Sequence, residues 1–260
     1  MVLSRERMII ALSLLAMTSL SWAYLWFDAV RMGAMHMNSG DMAENAMNMP
    51  PAGSPWGVHA LLTFVMWSIM MVGMMLPSAL PAITLYGAMT RKKQATDSVF
   101  PSVWAFTGGY LAVWTVFSAA ATILQTGLNS VGLLTSMLVS NSYWLSGSLL
   151  IIAGIYQWLP IKDVCLQKCR APLQYFLFHW RPGNAGAFRM GLEHGAFCVG
   201  CCWAIMLLLF AAGVMNLMWV AIIAGFTLVE KLLPGGVLVG RITGIVLATL
   251  GLGLIAENIF

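Results

Sequence analysis

Residues 190–215 read MGLEHGAFCVGCCWAIMLLLFAAGVM. The run is long and apolar enough to cross the roughly 30 Å hydrocarbon core of a bilayer as a helix. Yet it carries Glu193, His194, Cys198, Cys201 and Cys202. On a helix, His194, Cys198 and Cys201 fall at i, i+4 and i+7, within about 60° of arc, with Cys202 about 60° beyond Cys201. An imidazole and thiols placed in hydrocarbon cost free energy unless something compensates them. A soft metal ion does so, because thiolates select such ions. One cysteine here would be a small buried hydrophobe. Three between positions 198 and 202, a turn after a histidine, point to metal or redox chemistry. Glu193 leaves the helix on another side, within reach of Arg189 one turn earlier.

The rest of the chain agrees with a membrane setting. Of 260 residues, 60% are hydrophobic and 8% charged, and the mean hydropathy is +0.84. Soluble domains carry about 25% charged residues. The apolar runs are too long for the strands of an outer-membrane barrel. The expected fold is all-α, a polytopic membrane helix bundle of six or seven transmembrane helices. The spans fall near 8–27, 58–89, 101–124, 142–160, 190–212, 215–233 and 237–256. The first, Met8 to Phe27, reads as a retained helix, since it lacks the A-x-A site of a cleaved signal peptide. Pro77 and Pro81 are expected to kink or end the second.

Arg5, Arg7, Arg91, Lys92, Lys93, Lys162, Lys168, Arg170, Arg181, Arg189, Lys231 and Arg241 all fall on one side if the N-terminus is cytoplasmic. The positive-inside rule then puts the N-terminus inside and the C-terminus outside. The net charge of +4 reflects this placement and is no sign of a nucleic-acid partner. The lipid bilayer is the first partner. The chain divides into a first helix (1–27), a Met-rich extracytoplasmic loop (28–57) and a metal-binding transmembrane bundle (58–260), with a cytoplasmic cysteine loop at 161–189.

The outer loop contains RMGAMHMNSGDMAENAMNMP, residues 31–50, with Met35, His36 and Met37 together and Met32, Met42, Met47 and Met49 around them. Thioethers bind Cu(I) and persist where thiols oxidise. The second span, HALLTFVMWSIMMVGMMLPSALPAITLY (59–86), spaces Met66, Met70 and Met74 by four, and likewise Met71 and Met75. Such a ladder suits either plain packing or the relay of a soft cation. Met70 or Met74 could add a fourth ligand to His194, Cys198 and Cys201. The inner loop holds Cys165 and Cys169 at i and i+4 among Lys162, Lys168 and Arg170, cations that favour a thiolate. These thiols are expected to receive the ion, to pass it to a partner, or to form a redox pair.

There is no P-loop and no Ser-His-Asp arrangement, so the reading leans away from an enzyme.

Three long runs carry a family likeness: MWSIMMVGMMLPSALP (66–81), GIYQWLPIKDVCLQKCRAP (154–172), and HGAFCVGCCWAIMLLLFAAGVMNLMWVA (194–221) followed by EKLLP (230–234). They resemble a bacterial family labelled "predicted metal-binding integral membrane protein". The resemblance implies that Met70, Met74, Met75, Cys165, Cys169, Cys198, Cys201 and Cys202 stand at motif positions. The Met-rich outer loop lies outside it.

Two functional readings remain open. In the first, the protein binds a soft metal, with Cu(I) favoured and zinc admitted by the thiols, for uptake or for delivery to a membrane cuproenzyme or copper chaperone. In the second, it is an accessory subunit of a membrane redox complex, with a structural or thiol-redox Cys/His site.

Overall fold

The computed structural model describes residues 2–37, 56–94, 99–132, 143–214 and 216–256. Among the described residues the fold is all-helical: α1 (Val2–Met37), α2 (Trp56–Gln94), α3 (Phe100–Ser130), α4 (Tyr143–Tyr156), α5 (Pro160–Arg170), α6 (Pro172–Phe178), α7 (Gly183–Met206), α8 (Leu208–Ala212), α9 (Leu217–Leu232) and α10 (Gly236–Ala256). Prolines open α5 and α6, where a missing N–H costs nothing. Gly213, at φ 96°, ends α8. The Asn216 side chain then caps α9 by accepting from the Met218 amide at 3.2 Å.

Among the described residues, five stretches are long and apolar enough to cross a membrane: Met8–Val30, Ala60–Lys93, Phe100–Ser130, Gly183–Ala212 and Gly236–Ala256. A sixth crossing is available only if α4 and α5, bent by 67°, act together. The expected span at 215–233 becomes α9, whose 16 residues make about 24 Å of helix. That is short of a full crossing alone. The segment expected to leave the membrane at 28 continues α1 as helix to Met37, past the end of the apolar stretch at Val30. The expected inner loop at 161–189 is largely the short helices α5 and α6, followed by the start of α7.

Neither Pro77 nor Pro81 ends α2, which runs unbroken through both for 39 residues. Pro77 cannot donate to the carbonyl four residues back, that of Gly73. Trp22 of α1 fills the gap, its indole N–H donating to the Gly73 oxygen at 3.2 Å.

Helices α2 and α7 are the centre of the bundle. Half or more of their most apolar windows are buried, 50% and 56%, against 17% for α10. Small residues set the close approaches. A Cβ on Gly109 of α3 would lie 2.1 Å from the Phe188 oxygen, and one on Gly191 of α7 would lie 2.0 Å from the Phe106 oxygen. Helices α4 and α10 meet in the same way, Gly147 against Gly251 and Gly154 against Gly244. Backbones touching through glycine are a packing mode that needs no hydrophobic drive, as lipid requires.

Helix α5 is fastened by charge. Lys162 is buried and pairs with Glu230 of α9 and with Gln157. Asp163 pairs with Arg241 of α10 at 3.2 Å. Arg170 donates to the Leu233 and Pro234 carbonyls beyond α9, at 2.6 and 2.9 Å. These contacts turn α5 back onto α7, where Gly200 leaves room for the Cys165 sulfur.

Candidate metal centre

Cys198 is the hub of a sulfur-rich cluster at the junction of α2, α5, α7 and α9. Its Sγ lies 3.1 Å from the Tyr110 hydroxyl and accepts from the Lys231 ammonium at 3.0 Å. Cys169, Cys201 and Cys202 are its thiol neighbours. The Cys201 and Cys202 thiols donate to the Cys198 carbonyl at 3.1 and 2.9 Å. Cys202 Sγ lies 4.0 Å from Met75 Sδ. Cys198, Cys201, Cys202 and Met75 are all at most 2% exposed.

The local sequence explains the geometry. Spacings of three and four stack Cys198, Cys201 and Cys202 on one side of α7. The same spacing lets each later thiol reach back to the carbonyl of Cys198, the usual local bond of a small polar side chain in a helix. Cys165 and Cys169, also four apart, ride on the side of α5 that meets α7. The two cysteine groups therefore meet where α5 packs on α7. Cys165 abuts Gly200.

Burial and the neighbouring Cys201 push the Cys165 thiol up, with Lys168 pulling the other way. The neighbouring thiols of Cys198 and Cys201, with burial, push the Cys169 thiol well above its ordinary range. Of the cations expected to make these thiols acidic, Lys168 does pull the Cys165 thiol down and is outweighed by burial. Both thiols turn inward, and the lysines of α5 lie largely elsewhere.

The remaining expected residues divide. Met70 and Met74 are buried on α2, 1% exposed each. The thioether beside a thiol, however, is that of Met75, because the helix turns Met75 toward α7. His194 is buried in a box of rings, its centroid 5.9 Å from both Phe106 and Tyr110 and 6.5 Å from Phe176. Glu193 pairs with Arg189 at 3.5 Å and with Arg181 at 3.4 Å. Met35, His36 and Met37 fall in the last turn of α1, with side chains outside the described residues. Met42, Met47 and Met49 lie outside them altogether. Lys231, Ser78 and Tyr110 were not legible as site residues. Lys231 reads in sequence as one more inner-surface charge.

Among the described residues, no three His, Cys, Asp or Glu side chains stand as a ready-made metal cage. The thiols are turned onto the Cys198 carbonyl instead. Apart from the Tyr110 hydroxyl, the donors gathered around Cys198 are sulfur, with a buried cation beside them. The only carboxylate described nearby, Glu230, is held by Lys162. This donor chemistry fits a soft metal ion.

Comparison with known proteins adds the metal. No curated protein and no solved structure matches the chain. One family model does, over residues 64–254, and its description is a copper chaperone. The match covers α2 from Phe64 to nearly the end of α10, with all five cysteines and Lys231 inside it. It is narrower than the metal-binding label that the motifs resemble, since it names copper. By this match the chain belongs to the PpoB2 family of copper chaperones.

Proposed function

We propose that the protein is a membrane-embedded chaperone for Cu(I), which it accepts outside and passes inward or to a membrane cuproenzyme. The observation that carries the reading is the convergence of thiols from α5 and α7, and a thioether from α2, around Cys198. Sulfur donors select Cu(I), which is content with two or three of them. Zn(II) closes a four-ligand shell. Cys201 and Cys202 need only turn about χ1 to offer their sulfurs to an ion beside Cys198. His194, one turn earlier, is a reserve donor on the same side of α7.

The buried methionines of α2 support a route. Met66, Met70 and Met74 line the helix between its Trp56 end and Met75, at the edge of the cluster. The Met-rich segment around Met35, His36 and Met37 would capture the ion and feed it to this line. The orientation follows from the basic residues. Arg91, at one end of α2, pairs with Glu6 of α1 at 2.9 Å, which is consistent with a cytoplasmic N-terminus and a periplasmic Met-rich segment.

The test is metal content of the protein purified in detergent and loaded with Cu(I) without oxygen. The intact protein should retain copper in stoichiometric amount, with only sulfur neighbours by X-ray absorption. A Cys198→Ser, Cys201→Ser variant should lose it. A variant lacking Met32 to Met49 should keep it but load more slowly. An intact protein that retains no copper would overturn the reading.

A further inference from the structure

Glu230 and Lys231 are adjacent in α9, and their charges are used differently. Glu230 is matched by Lys162. Lys231 extends to α7 and α2, where its ammonium donates to Cys198 Sγ at 3.0 Å and to Ser78 Oγ at 3.1 Å. The Ser78 hydroxyl is itself fixed by donating to the Met75 carbonyl at 2.8 Å. Lys231 is 6% exposed. An ammonium only donates, so the Cys198 sulfur is the acceptor. A cation buried this deeply is costly unless an anion stands beside it. Glu230's charge is already engaged, so that anion has to come from the sulfur cluster.

We propose that Lys231 is the built-in counter-cation of the copper site, and that it makes the site selective for soft monovalent ions. The inference rests on the Cu(I) reading above and adds its charge rule. Cu(I) held by two thiolates is a complex of charge minus one. With the Lys231 ammonium the whole is neutral, the condition that a low-dielectric interior favours. A divalent ion on the same two thiolates gives a neutral complex and leaves Lys231 uncompensated. The first thiolate is Cys198. The second comes from Cys201, Cys202 or Cys169, whose thiol releases its proton to solvent as the ion binds, and no electron moves.

The experiment is an anaerobic titration of the purified full-length protein against a chromogenic Cu(I) chelator, with Zn(II) as the divalent probe. It compares the wild type with Lys231→Met, Lys231→Gln and Lys231→Arg. Glutamine keeps hydrogen bonds to Ser78 and Cys198 without the charge, so it serves where methionine perturbs folding. Both neutral variants should lose at least about tenfold in Cu(I) affinity, as when one partner of a buried charge pair is removed. Their preference for Cu(I) over Zn(II) should fall, and arginine should stay close to wild type. Undiminished Cu(I) binding by a neutral variant would overturn the inference alone, as would an arginine variant that loses as much as methionine. A wild type that binds no Cu(I) overturns the function proposed above and this inference with it.

Discussion

The thioether of Met75 on α2 lies 4.0 Å from the thiol of Cys202 on α7. Met74, its neighbour in sequence, is equally buried but turns to another side of the helix. The two methionines therefore make different predictions. Met75→Leu should lower Cu(I) affinity by roughly tenfold, while costing less than about 1.5 kcal/mol of stability as a volume-conserving change. Met74→Leu should leave equilibrium affinity close to wild type. Chelator competition measures both, and equal losses would remove Met75 from the site.

Cys169 belongs to the Cys198 cluster although 29 positions separate them in sequence. Mild oxidation of the purified protein, followed by protease mapping and mass spectrometry, should yield a disulfide between Cys169 and a cysteine of the 198–202 group. A bond confined to Cys165 and Cys169 would contradict the way α5 packs on α7.

The buried Lys162–Glu230 pair holds α5 against α9. Removing one partner leaves an uncompensated buried charge, at a cost of about 3–5 kcal/mol. Lys162→Met and Glu230→Leu should each lower the melting temperature in detergent sharply. The double variant should recover most of the loss, and a double variant as unstable as the worse single one would refute the pairing.

Glycine substitution separates contact from freedom. Gly191→Ala drives a methyl group against the Phe106 backbone, which cannot yield as a side chain can, so the cost should be about 3 kcal/mol or more. Gly225→Ala in α9 meets nothing within 4 Å and should be neutral or stabilising by up to about 1 kcal/mol. Thermal melts of the two variants side by side check the α3–α7 interface.

Apolar runs are strong signals, so the all-helical bundle was legible from sequence. So was the stripe of His194, Cys198 and Cys201, because helical spacing is a local property. What escaped reading depended on how helices turn against one another. Nothing in the sequence says which side of α2 meets α7, so Met75 could not be singled out from Met70 and Met74 as the thioether beside Cys202. Cys165 and Cys169 looked like surface thiols because α5 is short and charge-rich, and only the 67° bend after α4 turns it inward. Lys231 is one residue from Glu230, and a neighbouring acid and base look like a self-contained pair until the structure sends them to different partners. Pro77 promised a break that Trp22 repairs from another helix.

That repair has a consequence for how the protein can be divided. The family match begins at residue 64, beyond α1, which invites treating the first helix as an interchangeable leader to a portable core. The Trp22 indole nevertheless supplies the donor that Pro77 withholds from Gly73, two residues before Met75 on the helix that flanks the sulfur cluster. A core grafted behind a foreign helix would carry an orphaned carbonyl at that point. The chain's two parts are thus tied by a debt of one proton donor, and a transplant should succeed only where the replacement helix brings an indole, or its equivalent, to the same height.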